Sequence, residues 1–253
     1  MIELKSEQEL AIIRKAGSVV AEVLDELKKV IRPKIKTIEL DRISEELIRK
    51  RGGKAAFKNY KGYPANICTS VNEVIVHGIP GDRILREGDI VSVDVGVEME
   101  GYFADGAFTY AVGTTDEKSK RLIEVTRIAL EKSIENAYAG KKISAISCAM
   151  QKFVESNGFN VIRTFVGHGI GSKLHEPPEV PNFGTPITGI LLENGMVLAI
   201  EPMVSMGKYE VEILQDGWTS VTIDRSRVAH FEHTVAITDN GPEVLTVCRK
   251  KNR

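Results

Sequence analysis

Four carboxylates and one imidazole stand in stretches too apolar to leave a charge bare. Asp94 lies within Ile90-Val91-Ser92-Val93-Asp94-Val95 and Asp105 within Tyr102-Phe103-Ala104-Asp105-Gly106-Ala107-Phe108, with Glu100-Gly101 between them as a turn signal. That pattern reads as a β-hairpin. An even number of loop residues puts both aspartates on one sheet face with Cβ atoms about 5 to 8 Å apart, and an odd number without a bulge puts them on opposite faces. Two like charges on one face destabilise a strand unless something neutralises them, most simply a cation. Glu201 directly follows an apolar run at 196–200 that is suited to burial on both faces, and Glu232 lies in strand-like sequence at 228–237. Neither segment supplies a Lys or Arg in place. His168 stands between Gly167 and Gly169 after strand-like 161–166, where the glycines leave space around the imidazole for a ligand or for backbone. Together these five side chains form an oxygen-rich set suited to two divalent ions bridged by carboxylates, with Mn²⁺, Fe²⁺ or Co²⁺ favoured over a thiolate-seeking metal.

The elements that must position these residues come in a repeated order. Ser6 and Glu9 form a capping-box signature, and Leu10, Ile13, Gly17, Val20, Leu24, Leu27 and Ile31 follow at helical spacing until Pro33. Thr37 reads as the cap of a second helix through Leu40, Ile43 and Leu47, closed by Gly52-Gly53. Strand texture then runs to Val112. Thr115 opens a third helix through Leu122, Val125, Ala129 and Ile134, and Ser144 caps a fourth through Ile146, Met150 and Phe153, closed by Asn157-Gly158. Strand texture returns from Asn160 to about Val247. Two helices followed by strands, twice over, predict one domain spanning residues 1–253 with similar α+β halves at about 6–112 and 115–247 related by a pseudo-twofold. Local matches agree: aligning Thr37 with Ser144 brings Glu87-Gly88 onto Asn194-Gly195, and Asp94 onto Glu201.

Composition excludes several classes. The chain has 253 residues, 42% apolar and 27% charged, and its 34 Lys and Arg against 35 Asp and Glu give a net charge of −1. Such a chain is an ordinary globular one, without a basic field to draw it onto nucleic acid or a membrane. No apolar run approaches the roughly 18 to 20 residues of a membrane span, and the first ten residues show no secretory h-region. Three cysteines, Cys68, Cys148 and Cys248, with no CxxC suit a reducing, cytoplasmic location. The basic tail, Arg249, Lys250, Lys251 and Arg253, reads as a solvated end, with a ribosome or nucleic-acid contact as the alternative. Other motifs fail. Gly167, Gly169 and Gly171 follow a strand, but Pro177, Pro178 and Pro181 occupy the place of a Rossmann helix; no P-loop or GxSxG occurs; and His175-Glu176 before two prolines is no HExxH helix.

The order Asp94, Asp105, His168, Glu201, Glu232, with VHGIP at 76–80, GHGIG at 167–171, HEPP at 175–178 and EPM at 201–203, closely resembles the type I methionine aminopeptidases in their short bacterial form. The resemblance covers nearly the whole chain. It implies the pita-bread fold, an α/β (α+β) arrangement of antiparallel-rich sheets covered by helices, with an internal pseudo-twofold. It also implies removal of the N-terminal methionine from nascent proteins and peptides by a water activated between two divalent ions (Co, Fe, Mn or similar), with a monovalent cation in addition. In that scheme Asp94 chelates one ion, Asp105 and Glu232 bridge both, and His168 and Glu201 bind the other. Glu201, His77 and His175 take catalytic roles, the two histidines contact substrate, and Tyr60, Tyr63, Cys68 and Trp218 line or border the methionine pocket. Members vary at the positions of Phe57 and Leu174. The implied partners are the N-terminal Met of peptides and nascent chains and a transient ribosome contact, with no membrane, no specific nucleic acid and a monomeric chain. Two alternatives share the fold. Prolidases and aminopeptidase P use the same ligands but carry a sizeable N-terminal domain, and some pita-bread proteins are non-catalytic binding modules that have lost the ligands. The type II enzymes carry a long insertion in their C-terminal half, whereas only 33 positions separate His168 from Glu201.

Overall fold

Ser6 and Glu9 set the first helix as the capping box predicts: the Ser6 hydroxyl accepts from the Glu9 N–H, and the Ser6 N–H donates to the Glu9 carboxylate at 2.7 Å. In this computed structural model, which describes residues 2–185 and 187–248, α1 (Glu7–Val30) buries Leu10, Ile13, Val20, Leu24 and Leu27 along one face. Each such side chain contributes about 1.5–3 kcal/mol of burial. The helix ends at Val30, with Ile31 already extended, before Pro33 is reached.

The other three helices start one residue away from the expected caps. Thr37 is the first residue of α2 (Thr37–Lys50), because its hydroxyl is engaged with the Gly81 backbone and the Glu39 carboxylate instead accepts from the Lys36 N–H. Asp116, not Thr115, caps α3 (Glu117–Ile134), accepting from the Ser119 N–H at 2.9 Å, while the Thr115 hydroxyl donates to Gly88. Ser144 begins α4 (Ser144–Ser156), and its hydroxyl accepts from the Thr188 N–H.

Fifteen short strands complete the described residues. Five lie between α2 and α3: β1 (Lys54–Ala55), β2 (Cys68–Val71), β3 (Val74–Val76), β4 (Ile90–Met99) and β5 (Tyr102–Ala111). Ten follow α4: β6 (Asn160–Val161), β7 (Val166–Gly169), β8 (Glu176–Pro181), β9 (Val197–Ile200), β10 (Met203–Ser205), β11 (Val211–Ile213), β12 (Ser220–Thr222), β13 (Val228–His230), β14 (His233–Thr238) and β15 (Gly241–Val244). Every pairing is antiparallel. One sheet joins β1 and β2 to β4 and β4 to β5; another runs β15-β14-β9-β7-β8; two three-stranded sheets run β13-β10-β6 and β11-β12-β3. Two main apolar clusters back this framework, one of α1 and α2 side chains against β2 and β4, the other of α3 and α4 side chains against β9 and β14. No helix among the described residues is long and apolar enough to cross a membrane. The basic tail at 249–253 lies outside the described residues.

Candidate active site

Loop parity decides where the two aspartates point. Met99 pairs with Tyr102, so the β4–β5 hairpin closes through two residues, Glu100 and Gly101, both at positive φ (51° and 83°) as a tight hairpin turn of this length requires. Asp94 then faces Ala107, and Asp105 faces Gly96. The aspartates therefore sit on one face, one diagonal step apart, close enough for their carboxyls to hydrogen-bond. Asp105 Oδ1 also accepts from the Gly106 N–H at 2.9 Å.

The remaining site residues converge on this pair from the second set of strands. His168 lies within β7 itself rather than after a strand, because the strand-like stretch 161–166 splits into the end of β6, a loop and the start of β7. The glycines beside it make room for backbone: a Cβ on Gly167 would stand 2.3 Å from the Ala199 carbonyl oxygen, and one on Gly169 2.3 Å from that of Pro177. Glu201 follows the fully buried β9, as its sequence suggested. Glu232 does not lie in a continuous strand. It occupies the break between β13 and β14, because the chain there leaves the partnership with β10 and joins β9. In that break the Glu232 N–H donates to Ala107 of β5 at 2.7 Å, and the Thr234 hydroxyl bridges the Asp105 N–H and C=O, so Glu232 is fastened directly to the aspartate hairpin.

Ligand atoms of Asp105, His168 and Glu232 all come within 4.8 Å of one another, and these three residues are buried. His168 Nε2 stands 3.6 Å from Glu201 Oε1. Its Nδ1 lies 2.9 Å from the Gly169 carbonyl, which can only accept, so Nδ1 carries the proton and Nε2 presents its lone pair to the carboxylates. Burial pushes the His168 pKa down to about 4, keeping it neutral at pH 7. Burial pushes all four carboxyls up: Asp105 to about 6, and Asp94, Glu201 and Glu232 well above the usual carboxylate range, with mutual repulsion adding to burial for these three. No Lys or Arg among the described residues pairs with any of them. Asp94 Oδ1 and Glu232 Oε1 are buried without a hydrogen-bond partner. Buried acidic oxygens left unpaired around a neutral imidazole lone pair fit a site for hard or borderline divalent cations.

A cavity of about 280 Å³ opens above this acidic floor. His175 stacks on Tyr60 at 5.2 Å, its Nδ1 lies 3.0 Å from the Tyr60 hydroxyl, and its ring centroid is 4.3 Å from that of His168. Burial lowers its pKa to about 3. His77, at φ 60°, lies edge-on to Phe165 and Trp218 and is likewise pushed down by burial. Tyr63 meets Trp218 edge-on at 5.1 Å, and its hydroxyl lies 3.1 Å from the carbonyls of Ile67 and Gly78. Cys68 sits opposite Asp94 in the β2–β4 register, its thiol pushed up by burial and by that carboxylate. Phe57 and Leu174 complete the apolar lining. The cavity thus brings together every side chain that the sequence singled out for chemistry or binding.

Two contributors were not singled out. His230, buried in β13, has Nε2 without a partner, 3.8 Å from Glu201 Oε2 and 3.9 Å from Glu232 Oε2. Its position two residues before Glu232 was the available signal. Lys5 has a side chain only 2% exposed and holds Glu176 Oε2 at 2.7 Å, while Glu176 also accepts from the Lys173 N–H and the Ser172 hydroxyl. The segment before α1 is thereby locked to the turn that carries His175. Nothing in the local sequence pairs residues 5 and 176.

Comparison with known proteins agrees with this geometry. The model of metallopeptidase family M24 matches residues 11–239. The chain belongs to metallopeptidase family M24. It is 52% identical over 249 residues to a methionine aminopeptidase of Clostridium perfringens, covering 98% of this chain and 100% of the relative. Its structure is similar to that of methionine aminopeptidase from Thermotoga maritima, with a TM-score of 0.97, 50% identity and coverage of 98% of this chain and 100% of that one. The prolidase of Pyrococcus furiosus shares the fold at a TM-score of 0.77 and 23% identity, and this chain covers 66% of it. The M24 fold is the pita-bread arrangement of helices and antiparallel sheets found here.

Proposed function

We propose that this M24 metallopeptidase removes the N-terminal methionine from peptides and nascent proteins in the cytoplasm, using a pair of divalent ions held by Asp94, Asp105, His168, Glu201 and Glu232. The observation that carries the reading is the unpaired acidic floor beneath a narrow aromatic cavity, in a chain similar over its full length to methionine aminopeptidases. When bound, the ions supply Lewis acidity and lower the pKa of water toward neutrality. Asp105 and Glu232, fastened to each other through β5, would hold the ions together with Asp94, His168 and Glu201.

The protein's own groups supply the rest. Tyr63, Cys68, Leu174 and Trp218 form an apolar slot suited to the unbranched, polarizable methionine side chain. Glu201 takes the proton of the attacking water and returns it to the leaving amine. His175 and His77, held neutral by burial, donate hydrogen bonds to the oxyanion and the scissile amide. Such a donor is worth about 3 to 4 kcal/mol in comparable acyl-transfer sites. The site draws ligands from both 6–112 and 115–247, and we read the chain as one catalytic domain built from these two halves.

The test is hydrolysis of Met-Ala-Ser by protein as isolated, after chelation, and after restoring Mn²⁺, Fe²⁺ or Co²⁺. Chelation should abolish methionine release and metal should restore it. Chelator-insensitive cleavage refutes the metal assignment, and turnover of Xaa-Pro substrates without Met peptides makes the chain prolidase-like.

A further inference from the structure

Among the side chains that line the cavity, the acidic floor carries all the negative charge and only one cation is present: Lys61. Between them the wall is mostly aromatic or aliphatic, with Thr164 and Cys68 as its uncharged polar members. Lys61 Nζ lies 5.4 Å from the centroid of the Tyr60 ring, and no carboxylate among the described residues forms an ion pair with it. Its neighbour Lys58 is engaged, donating to the Pro64 carbonyl at 2.7 Å.

The backbone places this cation deliberately. The segment 59–63 folds back on itself: the Asn59 N–H donates to Tyr63 at 2.9 Å, the Gly62 N–H to Asn59 at 3.2 Å, and the Tyr63 N–H to Tyr60 at 2.9 Å. Closing that loop holds Asn59 at φ 64°, which asparagine adopts readily, and Lys61 at φ 49°, a left-handed conformation that a long side chain adopts only when its surroundings enforce it. The same loop sets Tyr60 against His175 and Tyr63 against Trp218. The position of Lys61 is therefore tied to the residues that frame the reacting end of a bound peptide.

We propose that Lys61 is a specificity-determining residue that favours peptides with an Asp or Glu at the third or fourth position, downstream of the bond to be cut. The inference rests on the aminopeptidase reading above and names the part of the peptide that this wall selects. From His168 at the floor, the path to Lys61 passes His175 and Tyr60 in three steps of 4.3, 5.2 and 5.4 Å. These steps put Lys61 at most about 15 Å from His168. An extended peptide advances about 3.4 Å per residue, so its third and fourth residues stand about 7 and 10 Å from the first, and an acidic side chain there, with any bend in the path, closes the remainder. A carboxylate there meets the single unneutralised charge of the wall, and a cationic residue is repelled by it.

The test compares kcat/KM of the Mn²⁺-loaded enzyme on Met-Ala-Ser-Asp-Gly-amide and Met-Ala-Ser-Lys-Gly-amide, and on the pair with Asp or Lys at position three. In wild type the acidic peptide of at least one pair should be cleaved about two- to five-fold more efficiently, the scale of a solvent-facing ion pair. The ratio should fall to about one in Lys61→Gln, invert in Lys61→Glu, and shrink as ionic strength approaches 1 M, where the screening length is about 3 Å. Equal ratios in wild type and Lys61→Glu for both pairs, with Met released throughout, overturn the role of Lys61 and leave the aminopeptidase reading standing. Failure to release Met from any of the peptides overturns that reading, and this inference with it.

Discussion

Replacing Asp105 with Asn should abolish activity and yet stabilise the metal-free protein. Asp105 is buried, and its pKa rises from 3.8 to about 6, chiefly through burial. The shift of about two units corresponds to about 3 kcal/mol lost by the folded state once the group ionises. Asparagine fits the same place, since its Oδ1 can accept from the Gly106 N–H and its Nδ2 can donate to Asp94. Below pH about 4 the aspartate carries its proton folded and unfolded, and the two proteins should have equal stability. The gap opens as pH rises from 3.8 through about 6 and is complete above it. The histidine titrations, present in both proteins, cancel in the difference. For a chain of this size 1 kcal/mol moves Tm by roughly 2–4 °C, so chelated Asp105→Asn should melt roughly 6–12 °C above chelated wild type at pH 7.5. Adding Mn²⁺ at a thousandfold excess over Kd should reverse the order, because it stabilises its binding form by about 4.1 kcal/mol, more than the gap. Scanning calorimetry at pH 4 and 7.5 reads both effects. A metal-free variant less stable than wild type at pH 7.5, or a gap independent of pH, refutes the reasoning.

Three further outcomes follow from the same geometry. His175→Ala should lower kcat by about 10²- to 10³-fold with unchanged metal content, and wild-type rates should show no inflection from His175 between pH 5 and 8, since its pKa lies near 3; pH–rate profiles and metal analysis check both. Lys5→Met should cost about 1.5–3 kcal/mol by removing the cation that faces Glu176, and Lys5→Met/Glu176→Gln should recover most of that loss, as a denaturation double-mutant cycle measures. Iodoacetamide at pH 8 should leave Cys68 unmodified in the native protein while the unfolded chain is alkylated at all three cysteines, which peptide mass analysis detects.

The parts of the site that depend on local pattern were legible in the sequence. Glu100-Gly101 marked the turn between Asp94 and Asp105, but the sequence left the loop's parity open, and the Met99–Tyr102 pairing in the folded hairpin is what fixes their shared face. The apolar run before Glu201 is a fully buried strand as read. Where tertiary contacts override local signals, the sequence misleads. Thr37 and Ser144 are good capping residues, but their hydroxyls bond to Gly81 and Thr188, far away along the chain, so each helix starts one residue earlier than a cap there would set it. Residues 228–237 read as one strand-like stretch and yet break at Phe231-Glu232, because the two ends pair with different strands and Glu232 reaches β5. Lys5 with Glu176, and His230 with Glu201, are contacts between remote segments that no spacing rule connects. The family resemblance supplied roles for His77, His175 and the pocket residues that pattern alone did not.

The central claim, a pair of divalent ions on five named side chains, is tested most directly by the anomalous scattering of crystals grown from metal-free protein and soaked in Mn²⁺. Two peaks are expected, with Asp105 and Glu232 contacting both, Asp94 on one alone and His168 and Glu201 on the other. Absence of metal from this cluster, at Mn²⁺ concentrations that restore methionine release, would contradict it.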